Sequence, residues 1–282
     1  MIRLLWQHSA IEAHAMTYRS KIARIFLLSF VVFVSARFIA LAAATDRAQR
    51  KLDISKCDRA QFRVILDVGH TADAPGAMSA RNVPEYDFNL RLAKEIDQSL
   101  TDGGFIKTIL LVAHGPAMPS LFERVTVANH LSANLFLSIH HDSVPDSFLQ
   151  EWEYDGKPSH FSDRFRGYSL FVSYENRDIR ASLLFGRLIG AQLKDRGLPY
   201  ATQYAEDFMG GRQRQLLDAD VGVYRYDQLV VLKETQMPAV LLEAGSIINR
   251  DEENLMNLPE HRALIREAVT KAVEMFCNAR LR

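Results

Sequence analysis

The chain has 282 residues, enough for one large α/β core or two small ones. Its 34 Lys and Arg balance 34 Asp and Glu, and no basic patch or stripe stands out, which excludes a nucleic-acid binder of the usual electrostatic kind. Past residue 58 no segment is biased enough to read as disordered, and no internal repeat occurs.

The N-terminus reads as targeting. Lys21 and Arg24 precede the apolar run 25–35, and Ala42-Ala-Ala44 offers a small-residue cleavage site, so residues 1–44 read as a secretory signal peptide. A long stretch precedes the positive residues, which leaves two alternatives: initiation at Met16, or a signal anchor that stays in the membrane. Arg37 counts against the anchor because it shortens the uninterrupted apolar span. Residues 45–57 then form a short polar stalk, and 58–282 a single folded domain exported to the periplasm or cell envelope. Cys57 and Cys277, the two cysteines, stand at the two ends of that domain. In an oxidising compartment they can pair, or they can remain two thiols too far apart to meet.

From residue 58 strands and helices alternate, the pattern of an α/β fold with a twisted, mostly parallel sheet covered on both faces. The expected elements are a strand at 62–67, a helix at 85–100 with Phe88, Leu92, Ile96 and Leu100 on one stripe, a strand at 108–112, a helix at 119–131 and a strand at 135–139. The polar and aromatic stretch 143–167 reads as a loop, either a lid over a site or a surface excursion packed on its own aromatics. A strand at 168–173, a helix at 182–196, strands at 228–232 and 239–243, and a last helix from Pro259 to Cys277 follow. Residues 200–228 give no clear pattern.

Four side chains stand out. His70 follows the first strand and a Gly, at the sheet edge where open α/β sheets place ligands. Asp67, three residues earlier, can orient its ring or cap loop amides. Glu85, taken alone, is a first-turn carboxylate complementing a helix dipole. In Phe136-Leu-Ser-Ile-His-His-Asp142, alternation sends His140 and His141 to opposite faces, so only one can face a site, and the pattern leaves open which. Glu243 ends an apolar run, where an unpartnered carboxylate is expensive to bury and a raised pKa would suit a general base. Two His and one Glu can make a three-ligand zinc site with Glu243 left as the base.

Asp67-Val-Gly-His70, Ala74-Pro-Gly-Ala77, Glu85, Glu123-Arg-Val with Ala128-Asn129, Ser138-Ile-His140-His-Asp142, and Pro238-Ala-Val-Leu-Leu-Glu243-Ala-Gly with Asn249 occur in that order. The set resembles the zinc-dependent N-acetylmuramoyl-L-alanine amidases of the cell-wall hydrolase type over most of residues 60 to 278. The resemblance implies zinc on His70, Glu85 and His140, selects His140 over His141, and makes Glu243 the catalytic carboxylate. It further implies peptidoglycan as the partner, cleaved between the lactyl group of N-acetylmuramic acid and L-alanine. A peptidase or deacetylase on another wall bond is the alternative within the same chemistry. A non-catalytic wall-binding protein would need a ligand or base to be missing, and none is.

Two stretches depart from the family's pattern. Thr71-Ala-Asp73 follows His70 where glycine is usual, and Ala113-His-Gly-Pro116 stands after the second strand where an Arg is usual. Some members carry a long helical insertion that plugs the zinc until a protein partner removes it. Here only 175–181 separates the corresponding strand and helix, so that plug is not expected. The stretch 143–167, with Glu151, Glu153 or Asp163, is the other candidate gate, and an activator stays unassigned. Contact with a membrane is expected only if the N-terminal segment is uncleaved.

Overall fold

The structure, a computed structural model, describes residues 57–279. The expected signal or anchor at 1–44 and the stalk, up to residue 56, lie outside the described residues. Among the described residues no helix is long and apolar enough to cross a membrane.

The core is a seven-stranded sheet. Its strands are β1 (Val64–Val68), β2 (Ile109–Leu111), β3 (Leu135–Asp142), β6 (Ser169–Val172), β7 (Leu216–Asp218), β8 (Val223–Arg225) and β9 (Ala239–Ser246), in the order β2-β1-β3-β9-β6-β8-β7. The pairings β1–β2, β1–β3, β3–β9 and β6–β8 are parallel, while β6–β9 and β7–β8 are antiparallel, so the sheet is mixed with a parallel majority. β1 is buried along its whole length, Asp67 included, as a strand covered on both faces is.

Strand alternation sorts the core into two layers. Val64, Leu66, Val68, Leu137, Ile139, Val240 and Leu242 face one side. There they meet α1 (Glu85–Asp102), α3 (Ile179–Asp195) and α6 (Pro259–Ala279), which contribute Leu92, Phe185 and Val269 among others. The expected stripe of Phe88, Leu92, Ile96 and Leu100 is the buried face of α1. Ile65, Phe136, Phe171, Ala239 and Leu241 face the other side, under α2 (Ala117–His130), the short α4 (Val230–Lys233) and the segment carrying Tyr204 and Met209. Each fully buried aliphatic side chain contributes roughly 1.5–3 kcal/mol, so these two layers hold the sheet edge rigid where the site forms.

Several local expectations are corrected. The stretch 228–232 is not a strand: Val231 and Leu232 lie buried on one side of α4, because a two-residue apolar contact suits a single helical turn as well as an extended run. Within 143–167 the chain forms an antiparallel hairpin, β4 (Gln150–Tyr154) and β5 (Lys157–Phe161), turned at Asp155-Gly156 where both residues take positive φ. α5 (Arg250–Asn257) had no apolar signal; it begins because the Asn249 side chain accepts hydrogen bonds from the Asp251 and Glu252 amides. His140 and Glu243 lie inside longer strands, since β3 and β9 continue to Asp142 and Ser246. Cys57 and Cys277 are joined by a disulfide with Cα atoms 5.4 Å apart, tying the domain's ends together.

Candidate metal centre and active site

β1, β3 and β9 lie side by side, and their in-register residues bring the chemistry together. Val68 pairs with Ile139, and His140 pairs with Glu243. His140 and Glu243 lie on the same sheet face as Phe136, Ala239 and Leu241, under α2 and α4. His141 points to the opposite face, where its Nδ1 meets Asn89 Oδ1 at 2.8 Å and its ring packs on Phe88. Burial pushes its pKa down to about 3, so it is a neutral core residue.

Glu85, at the start of α1, reaches both remaining imidazoles. Its Oε2 lies 2.9 Å from His70 Nε2 and its Oε1 2.9 Å from His140 Nδ1. The ligand-capable atoms of His70, Glu85 and His140 all fall within 4.8 Å of one another. This donor set, two neutral-capable imidazoles and one carboxylate, is what a borderline divalent cation such as zinc takes. Burial alone would raise the Glu85 carboxyl, but hydrogen bonds and charge attraction from His140 and His70 outweigh it and hold the group well below the usual carboxylate range. Glu85 is thus an anion ready to bind a cation. Asn89 Nδ2 donates to Glu85 Oε1 (3.1 Å) and to the Gly69 carbonyl (3.2 Å), and so fixes the carboxylate from behind.

Two glycines make room. A Cβ on Gly69 would stand 2.4 Å from the His140 ring, and one on Gly76, whose φ is +80°, would stand 2.6 Å from both Glu85 Oε2 and His70 Cδ2.

The role expected of Asp67 is corrected. Its carboxylate does not reach the His70 ring: Oδ1 pairs with Arg124 Nη1 at 2.5 Å and Oδ2 accepts from Ser138 Oγ at 2.7 Å. Arg124, itself 2% exposed, also donates to the main-chain carbonyls of Val68 and His70. That clamp sustains the left-handed backbone of His70 (φ 66°), a conformation costing roughly 1–3 kcal/mol in a non-glycine residue. Asp67 therefore acts on the backbone of His70 through Arg124.

The two departures from the family's pattern meet each other. Thr71 Oγ1 donates to the Gly115 carbonyl (2.7 Å), and Asp73 Oδ2 accepts from the Gly115 amide (2.8 Å). His114 is exposed and takes no part. The proposed gating carboxylates are also placed elsewhere: Glu151 and Glu153 are exposed on β4, and Asp163 pairs with Arg250.

Glu243 Oε2 is buried without a hydrogen-bond partner. Burial raises this carboxyl well above its ordinary value, and the neighbouring Asp142 and Glu85 raise it further, with Arg212 opposing. Asp142 is pushed up to about 6 by burial; its Oδ1 accepts a 2.6 Å hydrogen bond from the Tyr204 hydroxyl. Tyr204 and Arg212 carry no mark in the sequence; Asp142 and Arg124 occur there only inside the quoted motifs, with no role of their own, although Arg124 is also a charged residue on the apolar stripe of a helix.

A model of the N-acetylmuramoyl-L-alanine amidase family matches residues 64–275. A putative N-acetylmuramoyl-L-alanine amidase of Buchnera aphidicola is 22% identical over 229 residues, covering 78% of this chain and 98% of that protein. The probable cell wall amidase LytH of Staphylococcus aureus is 24% identical over 218 residues, covering 77% of this chain but only 58% of LytH. Among solved structures, the N-acetylmuramyl-L-alanine amidase Ami1 from Mycobacterium smegmatis shares the fold with a TM-score of 0.59 at 22% identity, over 79% of this chain and 99% of that one. The family match spans the sheet and all three clustered residues, and on it this chain belongs to the N-acetylmuramoyl-L-alanine amidase family of enzymes.

Proposed function

We propose that this protein is an exported, zinc-dependent hydrolase that cleaves the amide between N-acetylmuramic acid and the L-alanine of the peptidoglycan stem peptide. The observation that carries the reading is the convergence of His70, Glu85 and His140 within 4.8 Å, with Glu243 paired in register to His140. These three residues would hold the zinc. When bound, it supplies Lewis acidity, polarising the scissile carbonyl and acidifying water.

The chain's own residues do the rest. Glu243 takes a proton from the attacking water at its carboxylate and delivers it to the leaving amine of L-alanine. A carboxylate crowded by Asp142 and Glu85 and left without a hydrogen-bond donor holds a proton readily, which suits a group that must accept one and hand it on. Arg124 and Asn89 hold the ligands in place from behind, so little reorganisation is needed as charge develops. Export accords with the disulfide, which persists in oxidising compartments, and with a substrate outside the cytoplasm.

The test is digestion of purified sacculi, with metal content measured on the same protein. Stem peptides released with free L-alanine amino termini, intact glycan strands and about one zinc per chain are expected, and Glu243→Ala should abolish release while keeping the fold. Cleavage at another bond would replace this assignment with a peptidase or deacetylase.

A further inference from the structure

The segment Asp207–Arg212 crosses beside the carboxylate end of β3, and three contacts define how it sits. Met209 is buried among the residues under the sheet. Phe208 packs edge-on against Phe148 at 5.6 Å and leans on Phe165 at 6.0 Å. Arg212 Nη1 donates to the Ser143 carbonyl, 3.2 Å away, at the residue following Asp142. The segment is thus pinned on both sides, yet the Arg212 side chain is exposed and pairs with no carboxylate among the described residues. Arg250 and Arg81, by contrast, are held by Asp163 and Glu253, and Arg164 lies over the Phe208 ring. A positioned guanidinium with free donors, next to the end of the strand that carries His140, is built to receive an anion.

Ser143 ties this cation to a second feature. It lines a cavity of about 230 Å³ that also takes in Ala77, Ser79, Asn82, Asp146 and His160. Ala77 N donates to Glu85 Oε2 at 3.3 Å, so this cavity begins where the clustered ligands end. Ser143, whose carbonyl Arg212 holds, and Ala77, which contacts Glu85, thus line the same polar cavity.

Resting on the activity proposed above, we propose that Arg212 is a specificity-determining residue that receives a free carboxylate on the peptide side of the scissile amide. The assignment to the peptide side follows from the chemistry of the bond. The lactyl carboxyl of the sugar is consumed as the acyl half of that amide, so the glycan side offers no carboxylate before cleavage. Free acids occur only along the peptide.

Two measurements on the full domain decide the proposal. The first is calorimetric titration with L-alanyl-glutamate and with its α,γ-diamide, which has no free acid, in both configurations of the second residue. The acid should bind about tenfold or more tightly than the amide, as one charge-assisted hydrogen-bonded pair warrants. Arg212→Gln should erase that ratio and Arg212→Lys should restore part of it. The second is hydrolysis of the matching N-acetylmuramoyl conjugates, where the same ratio should appear in KM rather than kcat. Equal binding of acid and amide, or a ratio that survives R212Q, overturns the proposal. If the ratio appears in binding and neither conjugate is cleaved, Arg212 stands as a carboxylate receptor and the activity assignment fails instead. An effect of R212Q confined to kcat would mean that the residue acts through Glu243, and would also overturn it.

Discussion

The His140 imidazole lies so close to Gly69 that a Cβ there would stand 2.4 Å from its ring atoms. Residue 69 is backbone-bonded into β3, its amide donating to the Ile139 carbonyl at 3.0 Å, so it cannot yield easily. Gly69→Ala should therefore displace the His140 ring and leave the buried core intact. The expected result is at least about tenfold weaker zinc binding in a chelator-competition titration, with an unchanged far-ultraviolet circular dichroism spectrum.

Arg124 and Asp67 are 2% and 1% exposed, and both are committed to further bonds. Removing one partner strands the other's charge in the core. Asp67→Ala or Arg124→Met should each lower unfolding stability by roughly 3–5 kcal/mol in urea titration, and the double variant should cost less than the sum of the two. Additive costs would show that the pair is not coupled.

Glu243→Gln keeps the shape and removes the proton acceptor. Release of stem peptides should fall on the order of a hundredfold or more, while zinc content stays that of the parent. Loss of zinc together with activity would place Glu243 among the ligands instead.

Asp142 supplies a pH test, made on the metal-free domain. Its folded pKa, about 6, is raised above the ordinary carboxylate value, so the folded state holds its proton more tightly than the unfolded chain. Stability from this group is present below the unfolded value near pH 4 and is lost as pH rises through 6. Asp142→Asn, which still accepts the Tyr204 hydroxyl, lacks that loss. The variant should gain on the parent between pH 4 and pH 7, by up to about 3 kcal/mol in chemical denaturation.

The Cys57–Cys277 bridge closes nearly the whole described domain, with a sequence separation of 220. Cys57→Ser with Cys277→Ser, or reduction, should cost roughly 2–5 kcal/mol and lower Tm without changing the metal site, which lies at the opposite ends of the strands.

Much of this protein is determined by local sequence. The apolar residues 64–66, with Val68, read as a strand covered on both faces, and the stripe through Phe88, Leu92, Ile96 and Leu100 as a helix against it. The ordered motifs likewise mark His70, Glu85, His140 and Glu243, because each motif is a short contiguous signal. Signals fade where the structure is made by contacts distant in the chain. One example is the α4 turn, whose apolar pair fits strand or helix equally. Another is α5, which rests on the Asn249 cap; the same side chain donates to the Asp163 and Phe165 carbonyls.

Tertiary structure alone decided what surrounds the four candidate residues. Asp67 lies three residues from His70 in sequence, yet its bond is to Arg124, 57 residues away, and the two act on His70 from behind. Thr71 and Asp73 make sense only once they are seen to grip Gly115. Arg212 reaches the end of β3 because Met209 and Phe208 seat its segment there. Periodicity reports which face of an element is buried. It carries no information on which buried polar group satisfies which, since hydrogen-bond partners are chosen by three-dimensional proximity, and that choice separates the residues facing a substrate from those that only hold them in place.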